Sequence, residues 1–253
     1  MKSTTLLARQ QFGASAVDYL TSDVHARGVS LQRLVELVEP QRGWRVLDVA
    51  TGAGHTACAF AARGARVVAS DVTFEMLTTA RENLPSGAVA FCQHEAAALP
   101  YPAGSFDCVT CRIAAHHFAS PADFVREAAR VLKAGGVLAL ADNIGSGEPK
   151  VAQFVNTFEE LRDPSHVWAY SPDDWETFFF AAGLELIHRE QVEKTLDFDE
   201  WAARMRVEGA ALDRLQALLV QAPAAAREWL RPQQVGRRLV FRLVEGILIG
   251  RKA

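Results

Sequence analysis

The chain has 253 residues, 49% of them apolar, with 27 Lys and Arg against 30 Asp and Glu and a formal net charge of −3. That length and apolar content suit one large core or one domain with a cap, and the slightly acidic balance argues against nucleic acid as a partner. The opening MKSTTLLARQ lacks a signal core and no later run approaches a membrane span, so a cytoplasmic location is expected.

Residues 1–23 read as an irregular arm, apolar enough at Phe12, Tyr19 and Leu20 to pack against the rest. Leu31, Leu34, Val35 and Val38 predict a helix over 24–38, ended by Pro40. Val46 to Val49 suits a strand covered on both faces. It ends in a turn with Gly52 and Gly54 and opens a helix near Thr56, which Gly64 closes. The resulting G-x-G-x-x-A is a weak nucleotide signal alone. Asp48 sharpens it, because an acidic residue before the loop suits a ligand with positive charge or many donors rather than a bare pyrophosphate. A second strand over 65–70 ends at Asp71, 19 residues past Gly52, the spacing at which a carboxylate reaches two ribose hydroxyls.

A helix over 75–83 turns Met76, Leu77 and Ala80 inward, and Pro85 and Gly87 break it. Strands follow over 88–93 and 106–113, with His94, Glu95 and Ala96 after the first and Ala114 to Phe118 after the second. A helix over 121–132 with Pro at its first turn, a Gly135–Gly136 turn and a strand over 137–141 complete five alternations, with Asp142 at the last strand's end. Alternation of this kind predicts right-handed crossovers, a parallel sheet, and a ligand outside the carboxyl ends of its strands. Gly52, Asp71, Glu95, Arg112, His116, His117 and Asp142 all fall there. Cys108 and Cys111 point to opposite faces of one strand, so no metal or redox pair is expected.

Beyond Asp142, helices over 151–161 and 172–182 flank the turn Arg162-Asp163-Pro164-Ser165-His166, with Ser171 as cap. A strand over 184–193, a largely helical stretch over 197–230 broken near Pro223, and a final antiparallel strand over 239–249 end the chain. The expected fold is an α/β, Rossmann-like, seven-stranded, mostly parallel sheet with the last strand antiparallel. Helices cover both faces, and a helical cap is inserted between the last two strands. It is read as one domain over 1–253, with arm and helix at 1–40, ligand-binding core at 41–145, substrate-side helices and cap at 146–235, and the final strand at 236–253.

V-L-D-V-A-T-G-A-G at 46–54, S-D-V-T-F-E-M-L at 70–77, L-P-Y-P-A-G-S-F-D-C-V-T at 99–110, H-H-F at 116–118 and E-A-A-R-V-L-K-A-G-G at 127–136 together resemble a class I S-adenosylmethionine-dependent methyltransferase. The resemblance is to the ubiquinone/menaquinone-biosynthesis type and its small-molecule relatives, and covers about residues 12–142. The chain departs from the family pattern at Ala50, where a first glycine is common, and at His94-Glu95, where Gly-Asp is usual. The resemblance implies that Ala50, Thr51, Gly52 and Gly54, following Asp48, wrap the methionine portion of S-adenosylmethionine. It implies that Asp71 accepts the ribose hydroxyls, Val72 and Met76 line the adenine, and Glu95 and Ala96 lie by its amino group. Arg112 and Ile113 would sit under the methionine, with Phe12 and Tyr19 closing over.

The activated methyl then needs a nucleophile held in line, water excluded and a proton acceptor. His116 and His117 lie where the methyl should point, with His116 mildly preferred; His166 is a further base candidate. Arg162 could hold an anionic substrate, and Trp168 and Tyr170 could line an aromatic-friendly pocket. His25 and His55 read as structural or cofactor-adjacent. The expected partner is a small-molecule acceptor, with homodimer formation open. Two other readings stay open: an NAD(P)-dependent oxidoreductase on a Rossmann fold, which lacks support from a Tyr-x-x-x-Lys pair, and a non-catalytic cofactor-binding scaffold.

Overall fold

The computed structural model describes residues 4–15, 28–84, 87 and 89–253. Tyr19, His25 and the expected start of the first long helix at Val24 lie outside them.

The chain opens with α1 (Thr4–Ser15) where an irregular arm was expected. The stretch before Gly13 is rich in Leu, Ala, Arg and Gln, which lose little freedom in a helix. Thr5, Ala8 and Phe12, three and four residues apart, share one face of it. Then come α2 (Val29–Val38) and the alternation β1 (Arg45–Val49), α3 (His55–Ala61), β2 (Arg66–Asp71), α4 (Phe74–Asn83) and β3 (Val89–Gln93). It continues with β4 (Phe106–Arg112), a 3₁₀ turn at Ala115–His117, α5 (Pro121–Val131) and β5 (Leu132–Asn143).

Gly135 and Gly136 do not form a turn. They lie inside β5, and the pairing with β4 shifts between Phe106↔Leu132 and Cys108↔Val137, so the extra residues bulge out of the ladder. Gly135 takes φ +74° there, and a Cβ on Gly136 would stand 3.0 Å from the Asp107 and Lys133 carbonyl oxygens.

The second half runs α6 (Pro149–Arg162), α7 (Pro172–Ala181), β6 (Leu184–Asp197), α8 (Phe198–Ala203), α9 (Gly209–Val220), α10 (Ala224–Leu230), β7 (Gln233–Val235) and β8 (Arg238–Lys252). The sheet order is β3-β2-β1-β4-β5-β8-β6. β1 to β5 pair in parallel, and β8 runs antiparallel between β5 and β6. The sheet is thus the Rossmann-like, mostly parallel one that the alternation predicts, with an eighth strand: β7 pairs with β8 as a short hairpin, its three residues too few to show a period. α8 to α10 form the helical insertion between β6 and β8.

Two cores cover the sheet's two faces. One joins Leu47, Val109, Cys111 and Leu140 to α5 and α7; the other joins Val46, Cys108, Ala139 and Ile247 to α2 and α3. Cys108 and Cys111 fall on opposite sides, and no group of His, Cys, Asp or Glu among the described residues is arranged to hold a metal. A third core, around Phe158, Trp201 and Phe241, locks the insertion onto β8. Helix α7 presses so closely that a Cβ at Gly250 would stand 2.3 Å from the fully buried Phe179 ring. Gly250→Ala is therefore expected to destabilise the chain by about 1–3 kcal/mol through overpacking, measured by urea unfolding; an unchanged midpoint would refute this contact.

Candidate functional site

At the carboxyl ends of β1, β2 and β4 lies a cleft of about 350 Å³. The chain leaves β1 in a left-handed turn, with Ala50 at φ +53°, Gly52 at +54° and Gly54 at +86°. Ala50 holds a conformation that costs an L-residue energy, and such strain gathers at functional loops. A Cβ on Gly52 would meet nothing within 4 Å, whereas one on Gly54 would stand 2.9 Å from Leu84. Gly52 therefore opens to the cleft, and Gly54 packs the loop against α4.

Asp48 does not line the cleft. It is 1% exposed beneath the loop. The Thr51 hydroxyl donates to its Oδ2 at 2.5 Å and the Thr110 hydroxyl to its Oδ1 at 2.7 Å. The expectation that this carboxylate faces the ligand is corrected: its acceptors are spent on the loop it anchors.

Burial pushes the Asp48 carboxyl up to about 6, against the two hydroxyl bonds and the nearby Arg112 charge. Because the folded value lies above the ordinary 3.8, folding favours the protonated form. The contribution to stability is full below about pH 4 and is lost as pH rises through 6, a change of about 3 kcal/mol. Asp48→Asn removes that dependence, so its stability relative to the parent should rise by about 3 kcal/mol between pH 4 and pH 7 in denaturant titrations. A difference that does not vary with pH would refute the buried titration.

Asp71 closes the other side. Its Oδ2 accepts from the Gly52 N–H at 3.0 Å and its Oδ1 from the Thr73 N–H at 2.9 Å. Each oxygen keeps lone-pair capacity toward the cleft it lines. Burial raises its carboxyl above the ordinary range, opposed by these backbone bonds. Val72, Met76, Glu95 and Ala96 line the same side, while Ala50, Thr51, Arg112 and Ile113 form the floor. Arg112 Nε donates to the Thr56 hydroxyl at 3.1 Å. Burial lowers its guanidinium, and Glu245 and Asp48 oppose that. Phe12 reaches the cleft from α1, and Gln11 ties α1 to the insertion through Met205 Sδ at 3.1 Å.

Behind the cleft is a smaller chamber of about 70 Å³. Phe12, Ile113 and His117 line both spaces. The three candidate histidines meet here, with ring centroids 4.1 Å apart for His116 and His117 and 5.5 Å for His116 and His166. They differ in state. His116 lies off the cleft: its N–H donates to Asp142 Oδ2 at 2.7 Å and its Nδ1 meets Asp142 Oδ1 at 2.6 Å. Burial disfavours its cation, but the Asp142 carboxylate outweighs that and raises its pKa above the ordinary value. His117 is drawn down to about 4 by burial and by neighbouring His116. Its Nδ1–H donates to the Ser165 carbonyl at 3.0 Å, a bond that fixes Nε2 as the lone-pair nitrogen of the neutral ring. Phe12 stands edge-on to it at 4.9 Å. His166 is also lowered, by burial and the other histidines, and its Nε2–H donates to Asn156 Oδ1 at 2.8 Å. The two adjacent histidines are thus distinguished: the Asp142 carboxylate favours the His116 cation, while burial and His116 favour the neutral His117 ring, which lines both spaces.

Arg162 lines the chamber, its Nε donating to the Trp201 carbonyl at 2.9 Å and its guanidinium 4.6 Å from the Trp201 ring. Trp168 and Tyr170 line neither space. The Trp168 N–H donates to the His116 carbonyl at 3.1 Å, and Tyr170 packs edge-on to Trp175 and Phe178. The Tyr170 ring packs on the core of the sheet face that α5 and α7 cover. Sequence reasoning did not single out Thr73, Ser120 and Asp123 of the cleft, or Asn143, Glu159, Lys194 and Arg204 of the chamber. Only Asn143, next to Asp142 at a strand end, carried a positional signal.

A parallel α/β sheet with a glycine loop, an acidic residue after the second strand and a cleft at the strand ends defines a nucleotide-type cofactor site. A methyltransferase-domain family model matches residues 47–140. The chain is 36% identical over 220 residues to YcgJ of Bacillus subtilis, named an uncharacterized methyltransferase, covering 86% of each chain. The solved YcgJ structure superimposes with a TM-score of 0.80 at 33% identity, over 88% of this chain and 97% of that one. A ubiquinone/menaquinone biosynthesis C-methyltransferase of Ectopseudomonas mendocina is 34% identical over 160 residues, 58% of this chain and 62% of that one. The chain belongs to this family of S-adenosylmethionine-dependent methyltransferases, and the oxidoreductase alternative is not favoured. The cleft's residues fit that cofactor: a paired carboxylate, an open glycine and a cavity of suitable size. No helix among the described residues is long and apolar enough to cross a membrane.

Proposed function

We propose that the chain transfers a methyl group from S-adenosylmethionine to a small-molecule acceptor seated in the inner chamber, in the cytoplasm, with His117 taking the proton the acceptor loses. The observation that carries this reading is the chamber itself, which meets the cofactor cleft at Phe12, Ile113 and His117. S-adenosylmethionine, when bound, supplies a methyl already activated on a sulfonium. The chain's own residues then position and exclude water. Asp71 accepts the ribose hydroxyls; Val72 and Met76 flank the adenine, with Glu95 and Ala96 near its amino group. Ala50, Thr51, Gly52, Arg112 and Ile113 surround the methionine part. Phe12 covers the junction, and Arg162 steadies the acceptor. Positioning of this kind can supply roughly 7–11 kcal/mol of a barrier.

His117 Nε2 is a suitable proton acceptor because its ring is neutral at physiological pH and its other nitrogen is held by Ser165. Calorimetry separates this reading from a dinucleotide enzyme. S-adenosylhomocysteine should bind with micromolar affinity and NADH should not bind; the reverse pattern would dismiss methyl transfer.

A further inference from the structure

Helix α6 delivers Glu159 to the inner chamber. The residue is 5% exposed and lines the cavity, yet its Oε1 has no hydrogen-bond partner among the described residues. Its Oε2 lies 4.0 Å from Arg162 Nη1, beyond hydrogen-bonding range. Buried polar atoms are nearly always paired, and a buried carboxylate oxygen without a donor costs free energy that a ligand can offset.

Charge narrows the donor. The chamber's charges already balance: Lys194 meets Glu245 at 2.6 Å and His116 meets Asp142 at 2.6 Å. The remaining lining acids, Glu159 and Asp163, are matched in number by Arg162 and Arg204, with Arg162 the nearest compensation for Glu159. An ammonium would add an unmatched charge, whereas a hydroxyl would complete the bond and leave the balance intact. Size narrows it further. At about 70 Å³ the chamber is roughly half the ~150 Å³ cavity that holds benzene, so a ring does not fit but a group of a few heavy atoms does.

We infer that the methyl acceptor enters the chamber with a compact, uncharged, hydroxyl-bearing end, and that Glu159 Oε1 accepts that hydroxyl's proton-donating bond. This rests on the proposed methyl-transfer reading, so the test first requires S-adenosylhomocysteine to bind. Ligand-observed NMR on the protein saturated with S-adenosylhomocysteine would titrate three probes: propane-1,2-diol, ethanolamine and hydroquinone.

The diol should bind the parent chain more tightly than either other probe. Glu159→Leu should weaken the diol at least tenfold and leave S-adenosylhomocysteine affinity within threefold. Should Glu159→Leu not fold, Glu159→Gln decides, with a loss of at least threefold expected from its weaker neutral acceptor. No binding of the diol, tighter ethanolamine or hydroquinone, or diol affinity unchanged by the folded variant would each overturn the inference. Failure of S-adenosylhomocysteine to bind the parent chain would instead overturn the reading beneath it.

Discussion

Asp71→Ala is expected to weaken S-adenosylhomocysteine binding by about 100-fold or more. Two separate losses add. The first is the clamp: the Asp71 carboxylate takes the Gly52 N–H at 3.0 Å and the Thr73 N–H at 2.9 Å, so it joins the glycine turn after β1 to the start of α4. Without it, the open face at Gly52 is no longer held at a fixed distance from the β2 end. The second is the pair of ribose hydroxyls that the proposed reading gives to the same carboxylate. A hydrogen bond to a charged group is worth about 1.5–3 kcal/mol, and each ~1.4 kcal/mol is tenfold in affinity.

Asp71→Asn separates the two losses. It keeps one oxygen acceptor but turns an NH₂ toward either a backbone N–H or a ribose hydroxyl, so about tenfold is expected. Calorimetric titration with S-adenosylhomocysteine reads both variants. An alanine variant that binds within threefold of the parent would exclude Asp71 from ribose recognition. The parent fold should survive, because Asp71 sits at a strand end and not in either sheet core.

The parallel half of the sheet was legible because its signals are local. Val46 to Val49 and Phe106 to Arg112 are short segments rich in Val, Leu, Phe and Cys and preceded by glycine-containing turns, and the glycines and Asp71 fall at fixed offsets from the first. Signals that depend on what lies across the space were not legible. The α1 helix pattern in 4–15 is short and weakly amphipathic, and the cleft beneath it gives its Thr5, Ala8 and Phe12 face a purpose. Asp48 reads as ligand-facing from its place before a glycine loop. Only the partners from residues 51 and 110 show that it faces inward. Glu159 and Lys194 come from helix and strand positions far apart in the chain, and no spacing rule joins them. His116 and His117 are adjacent in sequence, so nothing local distinguishes them; Asp142 on one and Ser165 on the other do.

That difference makes the second large effect specific. His117→Ala should lower the rate of methyl transfer about 10²–10⁴-fold, the range that a positioned general base supplies, and leave S-adenosylhomocysteine affinity within about fivefold. His117→Gln, close in volume, should lose a similar factor, which separates proton transfer from filling the space beside Phe12. The pH profile identifies the histidine. The active form of a base is deprotonated, and burial with His116 beside it holds His117 at about 4. With His117 as base, the rate is flat across neutral pH and falls only as pH drops through about 4.

Asp142 raises His116 above 6.5. With His116 as base, the rate would still be climbing as pH rises through and beyond neutrality. Rates of S-adenosylhomocysteine formation with saturating acceptor between pH 4 and pH 9 decide between them. An acid limb above pH 6.5 that persists in His117→Ala would assign the proton to the His116–Asp142 pair. An acid limb near pH 4 that vanishes with the alanine variant would assign it to His117.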